Sequence, residues 1–173
     1  MKSNIVNKEE ERKSVILSAK NVIQIVLNMS DSIALKHKKK LLSLMLWVIT
    51  EADGLVAKKR TNYKYKITYV SSGTLDKIKT IGEDSPGYIK GLRHEHVFTR
   101  SSIINDLLRT PSRMKEILNN AIGCIVTLEE DRKLSDKGKG CNGWERYRSA
   151  GVKVYKRNRD LVGEDKFEIF TIK

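Results

Sequence analysis

The chain has 173 residues, of which 34 are Lys or Arg and 21 are Asp or Glu, so its formal net charge is +13 at pH 7. Hydrophobic residues make up 39% of the sequence, enough for a modest core and too many for an intrinsically disordered chain. A charge this large repels itself unless a polyanion neutralises it, and nucleic acid is the first candidate.

Cysteine content and hydropathy predict where the protein resides. The two cysteines, Cys124 and Cys141, are too few for a disulfide-stapled secreted domain and lack the CxxC spacing of a structural zinc site. The N-terminal segment carries acids where a signal peptide would begin its apolar stretch. The longest apolar run, 41–49, is about half of the ~20 residues needed to cross a bilayer. We expect a cytoplasmic protein with no membrane partner.

The N-terminal third has the apolar periodicity of helices. Apolar residues fall on one side of a helix from Glu9 to Met29, and again from Leu35 to about Ala52, which together predict a helical hairpin. The pattern then alternates up to Val70, as in a half-exposed strand, and a short helix is expected over 74–81. The breaker-rich loop that follows places a soft boundary between residues 82 and 87.

The C-terminal half predicts short, alternating elements. We expect strands at 92–98, 122–127, 152–156 and 167–173, and helices at 101–108, 111–119, from about 128, and over 144–151. The predicted fold class is α+β, with an N-terminal helical hairpin (1–54), a strand and loop connector (55–87) and a basic, nuclease-like region (88–173), or one single domain overall.

The string RHEHVFTR, from Arg93 to Arg100, carries the groups best suited to chemistry. On a strand, His94 and His96 point to one face and Glu95 to the other. Hydrolysis of a phosphodiester needs a carboxylate or imidazole to hold a cation, a neutral imidazole to take a proton from water, and an arginine to neutralise the phosphate. The alternative is a basic, phosphate-contacting strand without a catalytic part.

The motif EHV, an Asn before a short strand, and a helix opening with acids together resemble the HNH nuclease family, whose core is the ββα-metal fold. The resemblance covers residues 93–134. It implies that Glu95 or His94 binds the metal, that His96 is the general base, and that Asn120 orients that base.

The same resemblance implies that Asp131 or Glu130 supplies the last metal ligand. In the mechanism that we expect, Arg93 or Arg100 neutralises the scissile phosphate. Oxygen ligands suit one Mg²⁺ or Mn²⁺ ion per site. A competing explanation needs no metal, since acids in the first turn favour the positive end of a helix and Thr127 can cap it.

The segment from Arg132 to Arg159 contains ten Lys or Arg and two acids, with aromatic residues and glycines interleaved. Cations neutralise phosphates and aromatic rings stack on exposed bases. The residues expected to contact nucleic acid are Lys139, Arg146, Arg148, Lys153, Lys156 and Arg157.

The sequence therefore predicts a metal-dependent DNA endonuclease of restriction, mobile-element or phage type. The apolar stripe of the hairpin could provide the contact of a homodimer. Three alternatives stay open: a nucleic-acid-binding regulator without catalysis, a ribonuclease acting on RNA, and a protein-interaction factor whose hairpin docks a partner.

Overall fold

The computed structural model describes residues 2–30, 34–56, 65–159 and 165–172. These residues form an α+β fold in which a helical hairpin packs beside a five-stranded mixed sheet of order β2-β3-β1-β4-β5. The helices and strands are α1 (Lys2–Leu27), α2 (Leu35–Val56), β1 (Tyr69–Ser71), α3 (Ser72–Ile81), β2 (Leu92–His96), α4 (Arg100–Arg109), α5 (Met114–Ile117), β3 (Gly123–Thr127), α6 (Leu128–Asp136), α7 (Trp144–Ser149), β4 (Val154–Arg159) and β5 (Asp165–Phe170).

The predicted hairpin is confirmed, and its apolar stripes form one core with α4. The fully buried side chains of this core come from all three helices: Ile23, Val26, Leu42, Leu46, Ile103 and Leu107. The buried Lys38 links the two helices at the turn end of the hairpin, because its Nζ donates to the carbonyl of Met29, 2.7 Å away, just beyond the last turn of α1.

The register of the sheet decides which ends of the strands meet. β3 lies between β2, which is antiparallel to it, and β1, which is parallel. Leu92 is opposite Thr127, and His96 is opposite Gly123. The two ends of β2 are therefore about 13 Å apart at the rise of a β-strand, and α6 begins beside the Leu92 end.

The helices after β1 and β3 begin side by side and are capped alike. Ser71 caps α3 and Thr127 caps α6, each accepting a hydrogen bond from a backbone N–H three residues on. Glu130 completes a capping box with Thr127 and reaches across to α3. One buried carboxylate thus ties together the starts of two helices.

Most of the predicted elements are present, with two differences. The strand expected up to Val70 is limited to Tyr69–Ser71, and residues 57–64 lie outside the described ranges. The helix expected over 111–119 is a four-residue α-helix between two 3-10 turns. β1, which falls in the predicted connector, is the central strand of a sheet whose other strands come from the C-terminal region.

Candidate functional site

A cleft of about 630 Å³ opens where α2 and α4 meet β2, an edge strand of the sheet. α2 lines it with Lys39, Ser43 and Trp47, spaced four residues apart on one face of the helix. The other lining residues are His94, Glu95, His96, Thr99, Arg100, Ser101, Ile104 and Asn105. The string that the sequence singled out therefore borders a concave surface.

β2 alternates as predicted. The rings of His94 and His96 both meet Trp47 on α2 edge-on, with centroid distances of 4.8 and 4.4 Å, and the two imidazoles are nearly parallel to each other. Glu95 points to the opposite face, where α7 lies. A strand side chain alternates by geometry alone, so this placement follows from the strand itself.

His94 is held by a carboxylate. Its Nδ1 lies 3.2 Å from Oε1 of Glu51, and its side chain is only 3% exposed. The other ring nitrogen, Nε2, lies against Gly123, where an added Cβ would come within 2.3 Å of it. Among the described residues, Nε2 has no hydrogen-bond partner. Glu51 therefore orients the ring, and Gly123 leaves the space that the ring occupies.

His96 is buried and is held in its neutral form. Its Nε2 is 3.5 Å from the hydroxyl of Thr50, which itself donates to the carbonyl of Trp47. Burial, with repulsion from His94 and Arg100, lowers the pKa of His96 to about 3. An imidazole of that pKa is a weak base, whereas an efficient general base titrates near the working pH.

Glu95 is neutralised by Arg146, which reaches β2 from α7. Nη2 of Arg146 donates to Oε1 of Glu95 at 2.5 Å and to the carbonyl of His96 at 2.8 Å. The arginine stem runs over Gly138, where an added Cβ would lie 2.4 Å from Cγ of Arg146. Arg146 is consequently a structural cation, and the carboxylate of Glu95 is committed to it.

Arg100 is prearranged at the mouth of the cleft. Its Nη1 donates to the hydroxyl of Ser43 at 2.8 Å, and its guanidinium lies 4.8 Å from the centre of the Trp47 ring. Both contacts come from α2 and hold the long side chain of Arg100 in place. Because the guanidinium is planar and rigid, its remaining N–H groups also have fixed directions.

The acids predicted as the last metal ligand lie at the far end of β2. α6 starts after Thr127, which is opposite Leu92, while His96 is four residues further along β2. The carboxylate of Glu130 accepts from the backbone N–H groups of Gly73 and Thr127 and from the hydroxyls of Ser71, Ser72 and Thr127. Glu130 is a helix-capping residue, and Asp131 lies beside it on the same turn, away from the histidines.

The residues predicted to share a divalent cation therefore do not converge. Glu130 and Asp131 are remote, Glu95 is paired with Arg146, and His94 is paired with Glu51. Within the described ranges, no group of three or more His, Cys, Asp or Glu side chains is arranged to hold a metal ion. The side chains of this site do not fit the Mg²⁺ or Mn²⁺ ion implied by the HNH resemblance.

The other three residues predicted to be catalytic, Asn120, Arg93 and Arg100, differ in their position relative to the cleft. Asn120 is in the 3-10 turn before β3, near the His96 end of β2 as expected, but the described partner of His96 Nε2 is Thr50. Arg93 is exposed on the face of β2 opposite His94, outside the cleft lining. Arg100 alone of the predicted arginines lines the cleft.

The basic residues of the tail divide into buried pairs and exposed cations. Arg157 is 9% exposed and forms a bidentate pair with Glu83, and Arg146 is held by Glu95, so these two predicted nucleic-acid contacts are engaged in ion pairs within the protein. Arg148 is exposed but paired with Glu145 on the same helix. Lys139, Lys153 and Lys156 are exposed.

Sequence reasoning missed the contribution of α2. Trp47, Thr50 and Glu51 stand three and four residues apart, so they share the helix face that meets β2. A tryptophan, a hydroxyl and a carboxylate on one face of α2 were the sequence pattern that could have indicated this site.

None of the helices in the described ranges is both long and apolar enough to cross a membrane. No protein-family model, no curated protein and no solved structure matches the chain.

Proposed function

We propose that the protein binds nucleic acid through the phosphates of the nucleic-acid backbone, and that the cleft between α2, α4 and β2 is the binding site. The observation that supports this proposal is the positive charge of the cleft. Lys39 and Arg100 line it, whereas Glu95, the one acidic residue among its lining residues, points to the opposite face of β2 and is paired with Arg146. A concave surface with unbalanced positive charge attracts a polyanion, in keeping with the net charge of +13.

Arg100 supports the proposal by its geometry. Contacts with Ser43 and Trp47 hold the guanidinium before any ligand arrives, so little side-chain entropy is lost on binding. Guanidinium N–H groups in a fixed plane match two phosphate oxygens, which a lysine cannot do.

The salt dependence of DNA binding tests the proposal. Fluorescence anisotropy with a labelled oligonucleotide should give an affinity that falls steeply with salt, and Lys39→Ala and Arg100→Ala should each reduce the log–log slope by about 1. Lys115→Ala, an exposed lysine on α5, is the matched control and should leave the slope nearly unchanged. Equal effects of all three variants would reject this cleft as the site.

Cleavage of the bound nucleic acid is a second candidate function, because two imidazoles and Arg100 line the same cleft, but the low pKa of His96 disfavours it as the general base. Metal-dependent DNA cleavage stays a prediction from the HNH resemblance, and metal-free RNA cleavage is its rival. To distinguish DNA cleavage from RNA cleavage, the wild type and His96→Ala are incubated with supercoiled plasmid or with RNA, each in the presence of Mg²⁺, Mn²⁺ or EDTA. Intact substrate in every lane, with binding retained, would leave a binding protein.

A homodimer also stays a prediction. The outer faces of the hairpin expose Leu17, Ile25 and Leu44, at 59%, 60% and 55%. Light scattering after size exclusion measures the mass directly, and the double variant Leu17→Lys, Ile25→Lys should shift a dimer to monomer.

A further inference from the structure

The walls of the cleft differ in chemistry along its length. On α2, Lys39, Ser43 and Trp47 follow one another at successive turns, so a cation, a hydroxyl and an aromatic ring are stacked over about 12 Å. On α4, the buried Ile104 lies beside Asn105, which is exposed. One part of the cleft thus suits a phosphate, and the other part is apolar with an amide at its rim.

The size and the position of the aromatic ring restrict the ligand. A cleft of about 630 Å³ has the volume of a small-molecule site, typically about 300–1,000 Å³, rather than that of a surface for a whole helix. In a duplex, the bases are stacked on one another and paired at their edges. Only an unpaired nucleotide can place its base against an apolar wall and its edge against a side-chain amide.

Arg100 connects the two parts of the cleft. Its guanidinium lies over the Trp47 ring and also contacts Ser43, one turn closer to Lys39. A phosphate held by Lys39 and Arg100 would therefore leave the attached sugar and base beside Trp47 and Ile104. The amide of Asn105, which carries both donors and an acceptor, matches the mixed hydrogen-bonding edge of a base.

We propose that the cleft accommodates one unpaired nucleotide, so that the protein prefers single-stranded DNA or RNA to duplex. The phosphate contacts Lys39 and Arg100, and Asn105 contacts the edge of the base. The base lies beside Trp47, whose ring is also in contact with Arg100 and the two imidazoles. This inference rests on the proposed nucleic-acid binding and adds the form of the nucleic acid.

Tryptophan fluorescence gives a direct readout, because Trp47 and Trp144 are the two tryptophans of the chain. Trp144 packs against Tyr69 and Phe170 on the opposite side of the sheet, so Trp144→Phe leaves Trp47 as the single reporter with little change in packing. This variant is titrated with single-stranded DNA and RNA of about 12 nucleotides and with the corresponding duplexes. Anisotropy of labelled strands is recorded in parallel.

The expected result is a change in Trp47 fluorescence with single strands and an affinity roughly 10-fold or more above that for duplex. Asn105→Ala should weaken single-strand binding several-fold, whereas Asn119→Ala, an exposed asparagine beyond α5, should have no effect. A stronger effect on DNA or on RNA identifies the preferred sugar.

Three outcomes overturn the inference. Salt-sensitive binding of duplex that equals or exceeds single-strand binding, or unchanged Trp47 fluorescence on binding, would overturn the single-nucleotide site and leave the proposed function standing. Absence of binding to any strand, with folding verified by circular dichroism, would reject both.

Discussion

The guanidinium of Arg146 joins the carboxylate of Glu95 to the carbonyl of His96, and so attaches α7 to the edge strand of the sheet. The pair is mostly shielded, with the two side chains 12% and 26% exposed. An ion pair in such surroundings stabilises little compared with an apolar pair, but removal of one member leaves the other charge without compensation. We therefore expect the loss of one member of the pair to destabilise the protein by more than the intact pair stabilises it.

We predict that Arg146→Ala lowers the free energy of unfolding by about 2–4 kcal/mol, because it strands the carboxylate of Glu95 and removes the bond to β2. Urea denaturation measures the change. Arg148→Ala is the matched control, since Arg148 pairs with Glu145 on the exposed side of the same helix and should cost under about 0.5 kcal/mol. Similar losses in both variants would mean that Arg146 contributes only as a surface residue.

Gly123→Ala should be destabilising for a steric reason. The new Cβ would lie 2.3 Å from Nε2 of His94 and 2.9 Å from Cδ1 of Ile67, two buried atoms. Relief requires the imidazole to leave its place beside Glu51, and overpacking of this kind costs about 1–3 kcal/mol. Thermal unfolding checks it. Gly87→Ala, which meets no atom closer than 4.0 Å, should be nearly neutral, and an equally small effect at Gly123 would show that the histidine moves freely.

The parts of the fold that could be predicted are those encoded locally. The apolar stripes of α1 and α2 and the Thr127 cap of α6 are properties of neighbouring residues, and each is present where the pattern places it. The alternation of His94, Glu95 and His96 about β2 has the same origin, because side chains of a strand alternate whatever it packs against.

The site itself depended on contacts that are distant in sequence. Glu51 is 43 residues from His94, and no local pattern reports which helix will cover a strand. The separation of Asp131 from His96 could not be predicted for the same reason. Its distance from His96 depends on the register of β2 against β3, and a single sequence does not specify that register.

The buried His96 should make stability depend on pH. Its pKa is lowered to about 3 in the folded protein and is about 6.5 when exposed on unfolding, so between these values the unfolded chain binds the additional proton. This contribution to stability is fully present above pH 6.5 and is lost as the pH falls, at roughly 1.4 kcal/mol per pH unit. The free energy of unfolding in urea should therefore decrease more between pH 7 and pH 5 for the wild type than for His96→Asn. His37→Asn, on the exposed side of α2, should behave as the wild type, and parallel pH profiles for all three proteins would contradict the prediction.

Glu130→Gln should destabilise the protein even though the side chain keeps its shape. Both carboxylate oxygens accept backbone N–H groups, Oε1 from Gly73 at 3.0 Å and Oε2 from Thr127 at 2.9 Å. An amide has one acceptor oxygen, so its NH₂ must face one of these donors and leave it unpaired, at a cost of about 2–3 kcal/mol.

The neighbouring Asp131→Asn provides the control for this prediction, because Asp131 is half-exposed on the same first turn of α6. Chemical denaturation with and without Mg²⁺ separates a capping role from a metal-binding role. If Glu130 is a cap, Glu130→Gln is destabilised equally in both conditions and Asp131→Asn stays within about 0.5 kcal/mol of the wild type. If the two acids bind a cation instead, Mg²⁺ stabilises the wild type and this gain disappears in both variants, since a ligand that binds only the folded state adds to its stability.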